Sequence, residues 1–415
     1  LAKVKRGLLA DEMGLGKSAQ AIEACNKVCA IGDNVEVICP ASLIENWIRE
    51  IERFRTGRWT YKVTSYDRAA RAHAIGKVPA EIKVLILDEA HYLKSKTAKR
   101  TKAIFGDKCD GAGGLIERAY HVFCLTGTPT PNNPSELWPM LRAVMPASIE
   151  KPTAKGALKP MAYWPFVDRF CVTQDTGFGI KIVKGKNLHE LKERISPFVL
   201  RRKKDEVLKE LPPIRFDTLA LKGEAAVITA DAWKQVAAAL RENGVAGLKE
   251  IAPHVAQLRR VTGLAKMAAA AEWIDAQLDG GMQKLVVFAH HRDVIEGLAK
   301  SLREGRYGHV VLDGAKNSGE RDKAVWTFQN EESCRVFIGQ IQAAGTGLTL
   351  TAASDVLFVE SSWVPAENEQ AAMRVHRIGQ RNACLIRFAM LAGSLDEQIQ
   401  KAVMRKTADI SRLFS

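Results

Sequence analysis

The stretch Asp11-Glu12-Met13-Gly14-Leu15-Gly16-Lys17-Ser18 constrains this chain more than any other. Two glycines, a lysine and a hydroxyl at this spacing are what a triphosphate needs. Gly14 and Gly16 let the backbone approach closely, so that successive N–H groups point at phosphate oxygens. Lys17 then reaches the β- and γ-phosphates, and the Ser18 hydroxyl can ligate Mg²⁺. Residues 19–28 read as a helix whose positive N-terminal end faces the same phosphates. The general pattern G-x-x-x-x-G-K-[ST] opens on glycine, and here that place is Asp11. Taken alone, the stretch has a plain alternative, an ordinary glycine-rich turn between strand and helix.

Seventy residues after Ser18, Val84-Leu85-Ile86-Leu87-Asp88-Glu89-Ala90-His91 decides between them. A wholly apolar run is typical of a buried parallel strand, and ligands bind at the carboxyl ends of such strands. Asp88 is placed to hold Mg²⁺, and Glu89 to orient and deprotonate an attacking water. The two motifs together point to a nucleotide hydrolase.

A chain of 415 residues is too long for one core and fits two or more domains. It has no run of eighteen apolar residues and no N-terminal signal pattern, so a membrane span or secretion is not expected. Leu1 is not a natural start, and the expectation is a piece of a longer protein. The eight cysteines form no C-x-x-C pair, which argues for free thiols rather than a disulfide framework or zinc site. A formal charge of +14 and a pI near 9.4 suggest a polyanionic partner.

Strands and helices alternate through the first part. Residues 35–40 read as a strand, and Ser42 as the cap of a helix running to Phe54. Residues 120–125 form another apolar run, ending in Thr126-Gly127-Thr128-Pro129, whose hydroxyls are suited to sensing the γ-phosphate. This alternation implies a parallel sheet with helices on both faces. From about 134 to 283 helical, basic stretches take over. Residues 188–200 read as an amphipathic helix, followed by Arg201-Arg202-Lys203-Lys204 at a hinge and by Pro212-Pro213, which no helix can continue. Strand signals return at 284–289, 309–312, 335–338, 356–359 and 385–390, giving a second sheet with no phosphate loop. The resulting division is 1–135, first lobe; 136–213, helical insertion and linker; 214–279, helical insertion of the second lobe; 280–395, second lobe; 396–415, C-terminal helix.

A catalytic lobe beside a similar lobe without a phosphate loop suggests that the second supplies charge to a nucleotide held by the first. Arg374 and Arg377, three apart, read as lying on one helix face. Arginines so placed neutralise charge on a transferred phosphoryl group. Gly345-Thr346-Gly347-Leu348-Thr349 follows a strand and suits a loop approaching phosphates.

In order, the segments LLADEMGLGKS, VICPASLIENW, VTSYD, LILDEAHYLKS, LTGTPTPN, FVLRRKKDEVLKELPP, VVFAHHRDV, IQAAGTGLTLTAAS and QAAMRVHRIGQ resemble the Swi/Snf-type branch of the superfamily-two helicase-like ATPases. The last two are most similar to the annealing-helicase branch. The resemblance spans the chain, and DEMGLGKS accounts for the missing first glycine. It implies an α/β fold of two RecA-like lobes with helical insertions, ATP and Mg²⁺ as cofactors, and ATP-driven movement along double-stranded DNA through backbone contacts. It further implies nucleotide contacts from Asp11 through Ser18, metal binding by Ser18 and Asp88, catalysis by Lys17, Asp88 and Glu89, and arginine fingers at Arg374 and Arg377. Gln380 is expected beside them. Nucleic-acid contacts are expected from Ser42, Asn46, Ser65, Thr126, Gly127, Thr128, Gly345, Thr346, Gly347 and Thr349.

The leading reading is therefore a monomeric DNA-stimulated ATPase, in a bacterial or phage nucleoid or a eukaryotic nucleus. The alternatives are a strand-separating DNA or RNA helicase, and a nucleotide-gated DNA-binding module with little turnover.

Overall fold

In the computed structural model, residues 1–415 are described except 128, 131–132, 155, 176–178, 222–251, 305–306, 345–346, 363, 392–393, 395 and 397–415. The chain divides into a first unit, Leu1–Lys209, and a second beginning at Glu210.

The first unit is built on a six-stranded, wholly parallel sheet. Its strands are β1 (Arg6–Leu9), β2 (Asn34–Cys39), β3 (Thr60–Ser65), β4 (Ile82–Asp88), β5 (Ala119–Leu125) and β10 (Val199–Leu200), in the order β10-β1-β5-β4-β2-β3. Parallel neighbours need crossover connections, which explains the intervening helices α1 (Lys17–Val28), α2 (Ile44–Phe54), α3 (Tyr66–Ala74) and α4 (Lys99–Phe105). Apolar side chains bury both faces. Ile22, Cys25, Trp47 and Ile51 cover one, and Leu141, Phe166, Phe170 and Leu191 help cover the other.

That second covering corrects part of the division read from sequence. Residues 136–209 belong with the first sheet and include two antiparallel hairpins, β6 (Glu150–Pro152) with β7 (Leu158–Pro160), and β8 (Cys171–Asp175) with β9 (Ile180–Gly185). The helix expected over 188–200 stops at Ile195. A 3-10 turn over Ser196–Phe198, with Pro197 in its opening positions, redirects the chain into β10, which pairs with β1. Nor does Ser42 cap a helix: Ala41–Leu43 is a 3-10 turn, and α2 follows without a side-chain cap.

The second unit holds another parallel six-stranded sheet: β11 (Ile214–Leu221), β12 (Leu285–Ala289), β13 (Gly308–Leu312), β14 (Cys334–Gln340), β15 (Asp355–Phe358) and β16 (Cys384–Leu391), ordered β11-β16-β15-β12-β14-β13. The segment from 214, expected to be helical, thus begins as an edge strand paired with β16 over its whole length. A helix does follow at Ala252–Asp279. The helical stretch expected before it, over 224–251, and all but residue 396 of the helix expected over 396–415 lie outside the described residues. All eight cysteines are free. Among the described residues, no helix is long and apolar enough to cross a membrane.

Candidate functional site

In the first unit, β1 ends at Leu9 and α1 begins at Lys17, so residues 10–16 form the loop between them. Gly14 (φ 88°) and Gly16 (φ 70°) take left-handed backbone, which side-chain-bearing residues resist. Lys17 Nζ donates to Asp11 O at 2.8 Å and Glu12 O at 3.2 Å, which holds the ammonium over its own loop. Ser18 follows in the first turn of α1.

Asp11 has a definite task. Its side chain is fully buried and accepts from the Arg202 backbone N–H at 2.9 Å, from the Arg202 guanidinium, and from Gln20 Nε2 at 3.1 Å. The position that is glycine in the general pattern here anchors a strand edge. Arg201 also donates to Ala10 O at 3.1 Å and Gly127 O at 3.4 Å, and Lys204 N to Glu12 Oε2 at 2.9 Å. Three of the four basic residues read from sequence as a hinge, Arg201, Arg202 and Lys204, are therefore part of the loop's support. No local pattern shows this, because the partners are about 190 residues apart.

β4 ends on Asp88, and β5, which lies between β1 and β4, ends beside it at Leu125. Asp88 is buried. Its Oδ2 accepts from Trp47 Nε1 at 2.7 Å, its Oδ1 from Glu89 N at 2.9 Å, and its carbonyl from Tyr66 Oη at 2.7 Å. Burial and then the Glu89 charge push the carboxyl up to about 6, opposed by the Trp47 bond and the Lys17 charge. Lys17 and Asp88 thus feel each other's charge.

Glu89 adopts left-handed backbone (φ 49°, ψ 50°), a conformation costly for a non-glycine residue and frequent at working sites. His91 Nδ1 lies 3.2 Å from Glu89 Oε2 and 3.0 Å from Thr126 Oγ1, and Thr126 Oγ1 lies 3.5 Å from Glu89 Oε2. Gly127 completes the arrangement. A Cβ there would stand 2.7 Å from Met13 Cγ and 3.5 Å from Lys17 Nζ, so only glycine lets this turn lie against the phosphate loop. Trp47, Tyr66 and His91 were not singled out by sequence reasoning. The available signal was their place inside the segments VICPASLIENW, VTSYD and LILDEAHYLKS.

The expected nucleic-acid residues of this unit separate. Ser42 is exposed and Asn46 half-buried, on the 3-10 turn and α2 that also carry Trp47. Ser65 is buried, and its hydroxyl accepts from Arg68 N at 3.3 Å as the N-cap of α3. Thr126 is fully buried and faces Glu89, and Gly127 faces Met13 and Lys17. All three are buried. Burial leaves them inside the unit, where Thr126 and Gly127 fit the phosphate-sensing role. Thr128 lies outside the described residues.

In the second unit, the helix Pro365–Ala372 ends before Arg374, and residues 373–379 run through turns. Arg374 and Arg377 therefore do not share a helix face. The helix closes when Met373 N bonds back to Glu369 O at 2.9 Å, and Arg374 N then donates to Ala371 O at 3.1 Å. Arg377 donates to Leu348 O at 2.7 Å, tying this turn to the loop that holds exposed Gly347 and half-buried Thr349. Gly345 and Thr346 lie outside the described residues. Gln380, expected beside a nucleotide, is buried and used by its own turn. Its Nε2 donates to Ala353 O at 2.7 Å, and its Oε1 accepts from Arg381 N at 2.8 Å and Asn382 N at 2.9 Å. A second buried carboxylate, Glu360, accepts from the His290 and His291 backbone, each at 2.8 Å, and from His291 Nδ1 at 2.6 Å.

The donor set around Lys17 fits Mg²⁺ with a nucleotide. A hydroxyl, Ser18, and one carboxylate, Asp88, are hard oxygen donors, and Mg²⁺ takes its remaining positions from phosphates and water.

Family models match in the order the two units stand. The SNF2-related domain matches residues 2–62 and 56–226, and the Helicase conserved C-terminal domain matches residues 266–379. The Homo sapiens DNA annealing helicase and endonuclease ZRANB3 is 29% identical over 97% of this chain and 38% of its own length. The Xenopus laevis SWI/SNF-related matrix-associated actin-dependent regulator of chromatin subfamily A-like protein 1 is 30% identical over 98% of this chain and 42% of its own. The chain thus spans about two fifths of the length of these relatives. A solved structure, the Sulfolobus solfataricus SWI2/SNF2 ATPase core in complex with dsDNA, aligns with 99% of this chain and 91% of its own at 24% identity, with a TM-score of 0.41.

Proposed function

The chain belongs to the SNF2-related helicase-like ATPases, and from that membership we propose that it is an ATP-dependent translocase on double-stranded DNA. The observation that carries the proposal is the joining of Lys17, Asp88, Glu89, Thr126 and Gly127 at the carboxyl ends of β1, β4 and β5. A binding module with little turnover has no need of a strained, hydrogen-bonded Glu89 beside a metal-binding aspartate.

In this reading Lys17 and the backbone of residues 11–16 bind the β- and γ-phosphates. Ser18 and Asp88 hold Mg²⁺, which when bound neutralises charge on the phosphate oxygens. Glu89 orients the attacking water and accepts its proton, and His91 with Thr126 holds the Glu89 carboxylate in place. Thr126 and Gly127, packed between Glu89 and Lys17, carry loss of the γ-phosphate away from the site. Arg374 and Arg377 supply positive charge to the transferred group, an effect of about 10³–10⁵ in rate. DNA contacts come from Ser42 and Asn46 in the first unit and from the loop holding Gly347 and Thr349 in the second. The basic composition suits backbone contact with little sequence preference.

The test is steady-state ATP hydrolysis without nucleic acid, then with duplex DNA, single-stranded DNA or RNA, at two salt concentrations. Duplex stimulation that weakens with salt is expected. Preferential stimulation by single strands or RNA overturns the duplex reading in favour of a strand-separating helicase. No turnover on any substrate overturns the enzymatic reading.

A further inference from the structure

Residues 201–204 form a strap along the phosphate loop. Downstream of β10, the strap continues strand pairing past the end of β1: Ala10 N donates to Leu200 O at 2.7 Å and Glu12 N to Arg202 O at 3.1 Å. Its side of the contact is basic, and the loop answers with a buried carboxylate. The Arg202 guanidinium binds both oxygens of Asp11 and reaches Gln20 Oε1, while Gln20 Nε2 donates to Asp11 Oδ2 at 3.1 Å and Leu15 O at 2.8 Å. Arg202, Asp11 and Gln20 close a ring that spans the loop and the second turn of α1.

This ring bears on Lys17. The two carbonyls that receive Lys17 Nζ belong to Asp11 and Glu12, and these are the two residues held by the strap, through Arg202 and through Lys204 N. An arginine fork fixes a carboxylate in position and angle, which a point charge does not. Displacing Asp11 displaces its carbonyl, and with it the ammonium that meets the phosphates.

We propose that Arg202 is a positioning residue for nucleotide binding, acting through Asp11 and Gln20 to set the place of Lys17 Nζ. The proposal rests on the reading of residues 11–18 as the nucleotide site. The strap ends a few residues before Glu210, where the second unit begins.

The experiment uses the full chain with Arg202→Gln, Arg202→Lys, Asp11→Asn and the double variant Arg202→Gln/Asp11→Asn, and Lys17→Ala as reference. Direct binding of a fluorescent ATP analogue, binding to duplex DNA, and KM and kcat for ATP are read alongside the melting temperature. Arg202→Gln should weaken nucleotide binding about tenfold, the scale of one lost charge-assisted contact, and raise KM more than it lowers kcat. Arg202→Lys should recover only part of the loss. The double variant should bind no worse than the weaker single variant, since both act through one contact.

Unchanged nucleotide affinity in Arg202→Gln overturns the proposal, as does weakened DNA binding with nucleotide binding intact. If Arg202→Gln does not fold, Arg202→Lys decides, and wild-type affinity there overturns it. If Lys17→Ala binds nucleotide as tightly as the wild type, the nucleotide-site reading itself fails, and the proposal with it.

Discussion

Trp47→Phe isolates one contact in the candidate site. Trp47 is fully buried, and its indole N–H donates to Asp88 Oδ2 at 2.7 Å. Phenylalanine keeps a ring in the core, deletes the donor and leaves a small void. A hydrogen bond to a charged group contributes about 1.5–3 kcal/mol, and a partly filled void adds roughly 1 kcal/mol, so a loss of about 2–4 kcal/mol is expected at pH 8 without Mg²⁺.

The loss should depend on pH, with a definite sign. The folded-state Asp88 carboxyl is raised to about 6 from its ordinary 3.8, first by burial and then by Glu89. Its contribution to stability is complete below about pH 3.8 and is lost as pH rises through about 6. The Trp47 bond favours the ionised form and limits that rise. Without it the folded value climbs further, so the gap between wild type and variant widens with pH, from about 1–2 kcal/mol at pH 5 to about 2–4 kcal/mol at pH 8. Urea unfolding in EDTA, followed by circular dichroism at both pH values, measures the gap. A gap that is below 1 kcal/mol at pH 8, or equal at the two pH values, refutes the reasoning.

Three further outcomes are expected. Glu89→Gln should bind ATP yet hydrolyse it at least about 100-fold more slowly, the scale of a lost general base, whereas normal turnover in a stopped assay removes Glu89 from that role. Gly127→Ala places a methyl 2.7 Å from Met13 Cγ and 3.5 Å from Lys17 Nζ, so calorimetry should find weaker nucleotide binding, and undiminished affinity contradicts the packing argument. Glu360→Ala leaves the His290 and His291 backbone N–H groups without their acceptor; denaturation of the second unit should show a loss of about 2–5 kcal/mol, and a loss under 1 kcal/mol would show that water replaces the carboxylate.

Much of the site was legible because its chemistry is local. Gly14, Gly16, Lys17 and Ser18 act at fixed spacing, and the apolar run into Asp88 and Glu89 needs no distant residue to be read as a buried strand. The second sheet was legible for the same reason. Local patterns failed where a non-local partner competed. Residues 188–200 carry helical periodicity, yet Val199 and Leu200 pair with β1, and Pro197 makes the break possible. Ile214–Leu221 stands beside β16, a neighbour far away in the chain. Arg374 and Arg377 have helical spacing, but the helix ends at Ala372 and both stand in a turn tied to Leu348 O and Ala353 O.

The sequence by itself determined the enzyme class, the order of the two sheets and the glycine-rich loop that ends in Lys17 and Ser18, since such a loop is written in residues a few positions apart. Only the tertiary structure decided what supports them. Trp47 on Asp88, His91 between Glu89 and Thr126, and Arg202 on Asp11 are buried or part-buried polar contacts between separate elements. A buried carboxylate must find donors, but nothing in the linear order says which ones. That choice is made when parallel strands bring their carboxyl ends to one edge of a sheet, and it turns Asp11 from an exception in a motif into the anchor of the loop.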